Sequence, residues 1–210
     1  MKRNIVIILF SFFICGVMTA QPQKPAAGTD GNKYVPYEQR TGNESVVYFT
    51  RSLSAEGLIK AYEQVNEKMA GHVAVKLHTG EKNGPNIIPR EWVKALMEKD
   101  LPGANIIETN TYYEGDRYTT PKHRQTLQVN GWTFCPVDII DEQGTTTLPV
   151  EGGKWFKKMS VGSHLTNYDA MLALTHFKGH TQGGFGGSNK NIGIGCADGR
   201  IGKAWIHTTP

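Results

Sequence analysis

DAMLALTHFKGHTQGGFGGSNKNIGIGCADG, residues Asp169 to Gly199, decides how the chain is read. It opens on an apolar strand, Ala170 to Leu174, passes through His176-Phe177-Lys178-Gly179-His180, and runs into a loop with seven glycines between Gly183 and Gly199. A short apolar run bounded by such punctuation reads as a strand buried on both faces. Two histidines, a lysine, flexible backbone and Cys196 follow it closely, which is the composition of a site at the end of a strand. These residues locate a site without naming a reaction.

Outward from that strand, the same grammar repeats. Val46-Val47-Tyr48-Phe49-Thr50 reads as a first strand. Ser54 can cap a helix carrying Leu58, Tyr62, Val65 and Met69, which Gly71 ends. Val73 to Leu77 is a second strand. Pro89 suits the first turn of a helix with Trp92, Val93, Leu96 and Met97 on one face, stopped by Pro102-Gly103. Ile106-Ile107 marks a third strand, Thr120-Pro121 opens a polar helix ending near Gly131, and Val137 to Ile140 is a fourth strand. Strands alternating with helices imply an α/β fold, a mainly parallel sheet with flanking helices in a single domain. Such sheets bind ligands beyond the carboxyl ends of their strands. The segments to inspect are therefore His78 to Asn86, Asn110 to Arg117, Asp141-Glu142 and His176 to His180.

The N-terminus reads separately. Lys2 and Arg3 precede an apolar run from Ile5 to Val17, too short for a bilayer-spanning helix and fitting the core of a secretory signal. Cleavage after Ala20 is expected, giving a signal over 1–20, a flexible Pro/Gly/Gln/Lys leader over 21–44 and the domain over 45–210. The product would be exported, periplasmic or secreted, without a stable membrane span. Loss of Lys2 and Arg3 from 23 basic residues leaves 21 against 19 acidic ones, too near neutrality for an electrostatic case for nucleic acid. Cys135 and Cys196 remain, and no intrachain disulfide between them is expected, since they flank different strands.

Several groups could carry chemistry. His176 and His180 share one side of an extended segment. They could act as acid and base, or ligate a metal with Cys196, although neither HExxH nor paired CxxC is present. Gly183 to Lys190, with Gly186, Gly187, Asn189 and Lys190 as contacts, could cradle an anion on backbone N–H groups, though it is neither a P-loop nor a dinucleotide fingerprint. The alternative for it is a mobile surface loop. Lys76 lies inside an apolar strand, where a lysine is costly unless it faces a partner or a site. No GxSxG elbow accompanies Ser163-His164 and Asp169, so a serine hydrolase is rejected.

Val73-Ala74-Val75-Lys76, Asp169 opening its strand, Lys178-Gly179-His180 and Gly187-Ser188-Asn189-Lys190-Asn191-Ile192-Gly193 together resemble the bacterial and archaeal family called domain of unknown function 362. The resemblance runs from about Val73 to Gly199, and His78 stands where that family has an asparagine. Longer relatives are described as iron–sulfur centre proteins. This chain has no ferredoxin-like cysteine run, and two cysteines cannot complete a four-cysteine cluster, so the cofactor is left unassigned. Relatives also continue past the glycine-rich stretch, so the resemblance implies a short form or a domain incomplete at its C-terminus.

The leading expectation is one polar site lined by Lys76, His176, Lys178, His180, Asn189 and Lys190, taking a small anionic ligand. Carboxylates such as Glu114 or Asp116 would offset the cations. The rivals are a metal or redox protein using His176, His180 and Cys196, and a non-catalytic or truncated binding protein.

Overall fold

A computed structural model describes residues 4–11, 46–180 and 183–209. The leader over 21–44 lies outside the described residues. The strands are β1 (Asn4–Ser11), β2 (Val73–Lys76), β3 (Asn105–Glu108), β4 (Val137–Ile139), β5 (Thr145–Pro149), β6 (Lys158–Gly162), β7 (Ala170–His180) and β8 (Gly184–Gly186). The α-helices are α1 (Ala55–Glu63), α2 (Arg90–Asp100), α3 (Thr120–Val129), α4 (Ser188–Cys196) and α5 (Gly202–Thr208).

The main sheet has the order β1-β7-β2-β3-β4, all parallel, and β8 folds back antiparallel on the end of β7. The fold is α/β and a single domain, as the alternation implies. From β2 the chain steps outward through β3 to β4, then returns to the other side of β2 as β7. The reversal of strand order falls between β2 and β7, the point at which such sheets open a crevice.

Alternation along the strands sorts the core into two faces. Val73, Val75, Leu77, Ile106, Leu172 and Leu174 meet Leu58 and Tyr62 of α1, Val93, Leu96 and Met97 of α2 and Leu127 of α3. Ala74, Ile107, Ile140 and Met171 face the other way, against Cys196 and Ile192 of α4. The helix ends follow from local chemistry. The Ser54 hydroxyl accepts the Gly57 N–H at 3.2 Å at the start of α1. Gly103 and Gly131 follow α2 and α3 with φ of 84° and 77°, a conformation that glycine adopts without strain.

Three expectations need correction. Val46–Phe49, in a unit of residues 13–49, has no regular secondary structure, and Val46, Val47 and Phe49 are exposed. β-branched and aromatic residues without a partner strand do not make a ladder. The fifth strand does not stop at Leu174 but continues to His180, because β8 pairs its far end from Lys178↔Gly186 to His180↔Gly184. The glycine-rich segment is not a loop throughout, since it contains β8 and the nine residues of α4.

The segment read as a signal core is, from Asn4 to Ser11, the edge strand β1, in register with β7 from Asn4↔Ala170 to Ser11↔Phe177. An Ile/Val-rich run of this length suits either role. Among the described residues no helix is long and apolar enough to cross a membrane.

Candidate functional site

A cavity of about 570 Å³ opens at the carboxyl ends of β2, β3 and β7, where the strand order reverses. Its charged lining is Lys76, Arg117, Lys178, Lys190 and Lys203 against two carboxylates, Glu81 and Glu108. His78, His176, His180 and His207 add imidazoles.

At the base, Lys76 is 1% exposed. Its Nζ donates to Glu108 Oε2 at 2.9 Å and to the Leu77 carbonyl at 2.8 Å. Glu108, 3% exposed, accepts on Oε1 from the Thr79 N–H at 3.0 Å and hydroxyl at 3.1 Å. Arg117 Nη1 and His78 Nδ1 stand 3.7 and 3.8 Å from that oxygen. Burial alone would raise the Glu108 pKa, but Lys76, His78 and Arg117 together hold it well below the usual carboxylate range. Burial lowers the His78 pKa despite Glu108, so the ring favours its neutral form.

The loop after β2 is pinned from behind. Asn130 Nδ2 donates to the Glu81 carbonyl at 2.9 Å, its Oδ1 accepts the Asn83 N–H at 2.9 Å, and Trp132 Nε1 donates to the Thr79 carbonyl at 2.8 Å. This fixes Glu81 opposite Arg117, whose Nη2 donates to Glu81 Oε1 at 2.5 Å and to the Tyr113 hydroxyl at 3.1 Å. Burial would lower the Arg117 pKa, yet Glu81 and Glu108 raise it, so the guanidinium stays charged.

The β7–β8 hairpin forms one wall. His176, Lys178 and His180 alternate in phase and line the cavity, while Phe177 points away and packs on Phe185 at 5.3 Å between ring centroids. Gly186, Gly187 and Lys190 line it at the start of α4. Burial lowers the Lys178 pKa, with Lys190 and Arg117 adding to the effect, and burial and Arg117 lower that of Lys190. These crowded ammonium groups have little local counter-charge, which is the electrostatic condition for taking up an anion.

Helix α4 is locked by Asn191, whose Nδ2 donates to the Lys76 carbonyl at 3.1 Å and to Thr175 Oγ1 at 2.9 Å. Lys203 arrives from α5. Asp198 organises that turn, its carboxylate accepting N–H groups of Arg200, Ile201 and Gly202 at 2.9, 2.7 and 2.9 Å. Gly202 is required there, because a Cβ would lie 2.0 Å from the Ser160 carbonyl oxygen. Lys203 Nζ donates to Thr109 Oγ1 at 2.5 Å and to the Asn110 carbonyl.

The structure therefore brings Lys76, His176, Lys178, His180, Gly186, Gly187 and Lys190 to one cavity. Asn189 is exposed on α4 and does not line it; Asn191 does. Glu114 and Asp116 are exposed and outside the lining, and Glu81 and Glu108 stand where they were expected. Cys196 packs in the second apolar cluster, where burial pushes its thiol up to about 11. Cys135 packs on the first cluster, on the other face of the sheet. Glu108, Arg117 and Lys203 were not singled out by sequence reading. The signal for Glu108 was the buried Lys76, which demands a counter-charge at a neighbouring strand end.

Among the described residues, one trio of metal-ligating atoms lies within 4.8 Å, from Asp138, Glu142 and His164. Its atoms already serve one another and their neighbours. His164 Nδ1 is 2.8 Å from Asp138 Oδ1, Tyr168 donates to Asp138 Oδ2 at 2.8 Å, and Arg124 holds Glu142 at 2.5 Å. His176, His180 and Cys196 form no such trio.

Fold and site define an open parallel α/β protein with a cationic cavity at its topological switch point. The chain belongs to the family described as Domain of unknown function (DUF362), whose sequence profile matches residues 73–210. The matched span contains every cavity residue named above. No curated protein and no solved structure matches the chain significantly.

Proposed function

We propose that the cavity binds a small anion carrying more than one negative charge. One observation carries the reading: among the described residues, five lysine and arginine side chains line a single cavity with only two carboxylates. Glu108 neutralises Lys76 and Glu81 neutralises Arg117, which leaves Lys178 and Lys190 to meet the anion. Backbone N–H groups at the start of α4, beside Gly187, supply further donors. His176 and His180, in phase with Lys178, are placed to exchange protons with such a ligand.

The test is a melting series of the chain with acetate, phosphate, pyrophosphate and citrate at matched ionic strength. A ligand at about a hundred times its Kd stabilises by about 2.7 kcal/mol, or about 5 °C or more for a domain of this size. Stabilisation should rise from acetate to the multiply charged anions. If none exceeds a chloride control, the reading fails.

We also propose that the protein is exported. Lys2-Arg3 and the apolar run after them support this, and β1 is the competing use of the same residues.

A further inference from the structure

Two lysines at the base of the cavity are held differently. Lys76 donates to a carboxylate, Glu108. Lys203, 5% exposed, forms no ion pair among the described residues, and its Nζ donates to two neutral oxygens, Thr109 Oγ1 and the Asn110 carbonyl. A neutral amine has two N–H donors and one lone pair. Two acceptors satisfy the donors and leave the lone pair for the cavity that Lys203 lines.

The acceptors are themselves fixed. Thr109 Oγ1 donates to the Gly195 carbonyl at 3.1 Å, so its lone pairs face Lys203. Asp141 holds the Asn110 N–H at 3.0 Å and the Gly199 N–H at 2.9 Å, tying the end of β3 to the turn before α5. Gly199 allows that approach, since a Cβ would lie 2.9 Å from the Asn110 carbonyl oxygen. The turn thus holds the Lys203 side chain against the end of β3 at the cavity.

We propose that Lys203 is the nucleophile of this cavity and that its ligand is an anionic carbonyl compound, an aldehyde or ketone carrying phosphate or carboxylate. The inference rests on the anion-binding reading, with Lys178 and Lys190 taking the anionic group. The Lys203 amine adds to the carbonyl carbon to give a carbinolamine. Loss of the former carbonyl oxygen as water then gives the imine, with no oxidant or reductant consumed. His176 or His180 can protonate the departing oxygen. Burial, with Lys76 and Arg117 outweighing part of the pull of Glu108 and Asp141, lowers the Lys203 pKa to about 8, which supplies free amine near neutrality.

The probe is pyridoxal 5′-phosphate, an aldehyde carrying a phosphate. The full chain is incubated with it, reduced with cyanoborohydride as hydride donor, and mapped by peptide mass spectrometry. Lys203 should be labelled about tenfold faster than the exposed Lys60, Lys94 and Lys122. Inorganic phosphate should slow labelling at Lys203 and not at those three. Lys203→Arg should keep its melting temperature within a few degrees and lose only the label. Phosphate stabilising the protein while Lys203 reacts no faster than the surface lysines would overturn the nucleophile and leave the anion site standing. Neither stabilisation nor selective labelling would overturn both.

Discussion

Gly195 of α4 rests directly on Lys76 of β2: a Cβ at position 195 would stand 2.4 Å from Lys76 Cε and 2.7 Å from its Nζ. The absence of a side chain there lets the helix close over the Lys76–Glu108 pair. Alanine normally improves a helix by about 1 kcal/mol over glycine. Here the sign should invert. Lys76 is held on both sides, by Glu108 and by the Leu77 carbonyl, and cannot swing aside without leaving Glu108.

Gly195→Ala should therefore destabilise by about 1–3 kcal/mol, the usual range for overpacking. Gly193→Ala, with open space around its Cβ position, is the control and should be neutral or stabilising. Chemical denaturation of the two variants beside wild type decides between these outcomes.

Glu108→Gln should cost about 3–5 kcal/mol, because it leaves Lys76 and Arg117 without their shared counter-charge. The pH dependence has a definite sign. The folded Glu108 pKa lies below its ordinary value of 4.5, so its contribution is present above 4.5 and lost as pH falls toward the folded value. The gap between wild type and variant should thus be widest near neutrality and narrow in acid. A gap independent of pH down to the acid transition would contradict the assignment.

His123 is fully buried, and neither ring nitrogen has a hydrogen-bond partner among the described residues. Burial lowers its pKa from 6.5 to about 4. The folded state then binds fewer protons than the unfolded state between those values, so stability falls as pH drops from about 6.5 to about 4. His123→Leu should remove that loss. Relative to its effect at neutral pH, it should gain about 2 kcal/mol at pH 5, read from denaturant midpoints at the two pH values.

The parallel core was legible because its strands are buried on both faces. Val73-Ala74-Val75-Lys76 is wholly buried, and continuous apolar runs announce such strands. The hairpin of β5 and β6 was not, because Thr145 to Pro149 is half exposed and carries almost no apolar side chain. Its run of β-branched threonines was the available signal. Helix α4 was hidden by Gly193 and Gly195, which vote locally against a helix; only at Gly195 does close packing, on Lys76, demand glycine. In the site, Lys76 and the in-phase His176, Lys178 and His180 could be read from spacing. Lys203 could not, since it is brought in by a turn that depends on Asp198 and on the close approach of Gly202 to Ser160.

The N-terminus has two candidate roles with different outcomes. If 1–20 are a signal, mass spectrometry of the natively exported protein should find Gln21 at or near its start, and a chain beginning there should fold cooperatively without β1. If Asn4–Ser11 instead remains in the sheet, Met1 persists and deletion exposes the eight-residue edge of β7, with loss of solubility.

The most direct test of the anion site is calorimetric titration of wild type and Lys190→Ala with pyrophosphate, run beside a melt of each. Lys190 lines the cavity at the start of α4 and has no structural ion pair among the described residues. A lost charge-assisted hydrogen bond is worth about 1.5–3 kcal/mol, or about tenfold to a hundredfold in Kd. Binding by wild type, weakened at least about tenfold in Lys190→Ala with little change in melting temperature, is the expected result. Equal binding by both proteins, or no heat from wild type at any accessible concentration, would contradict it.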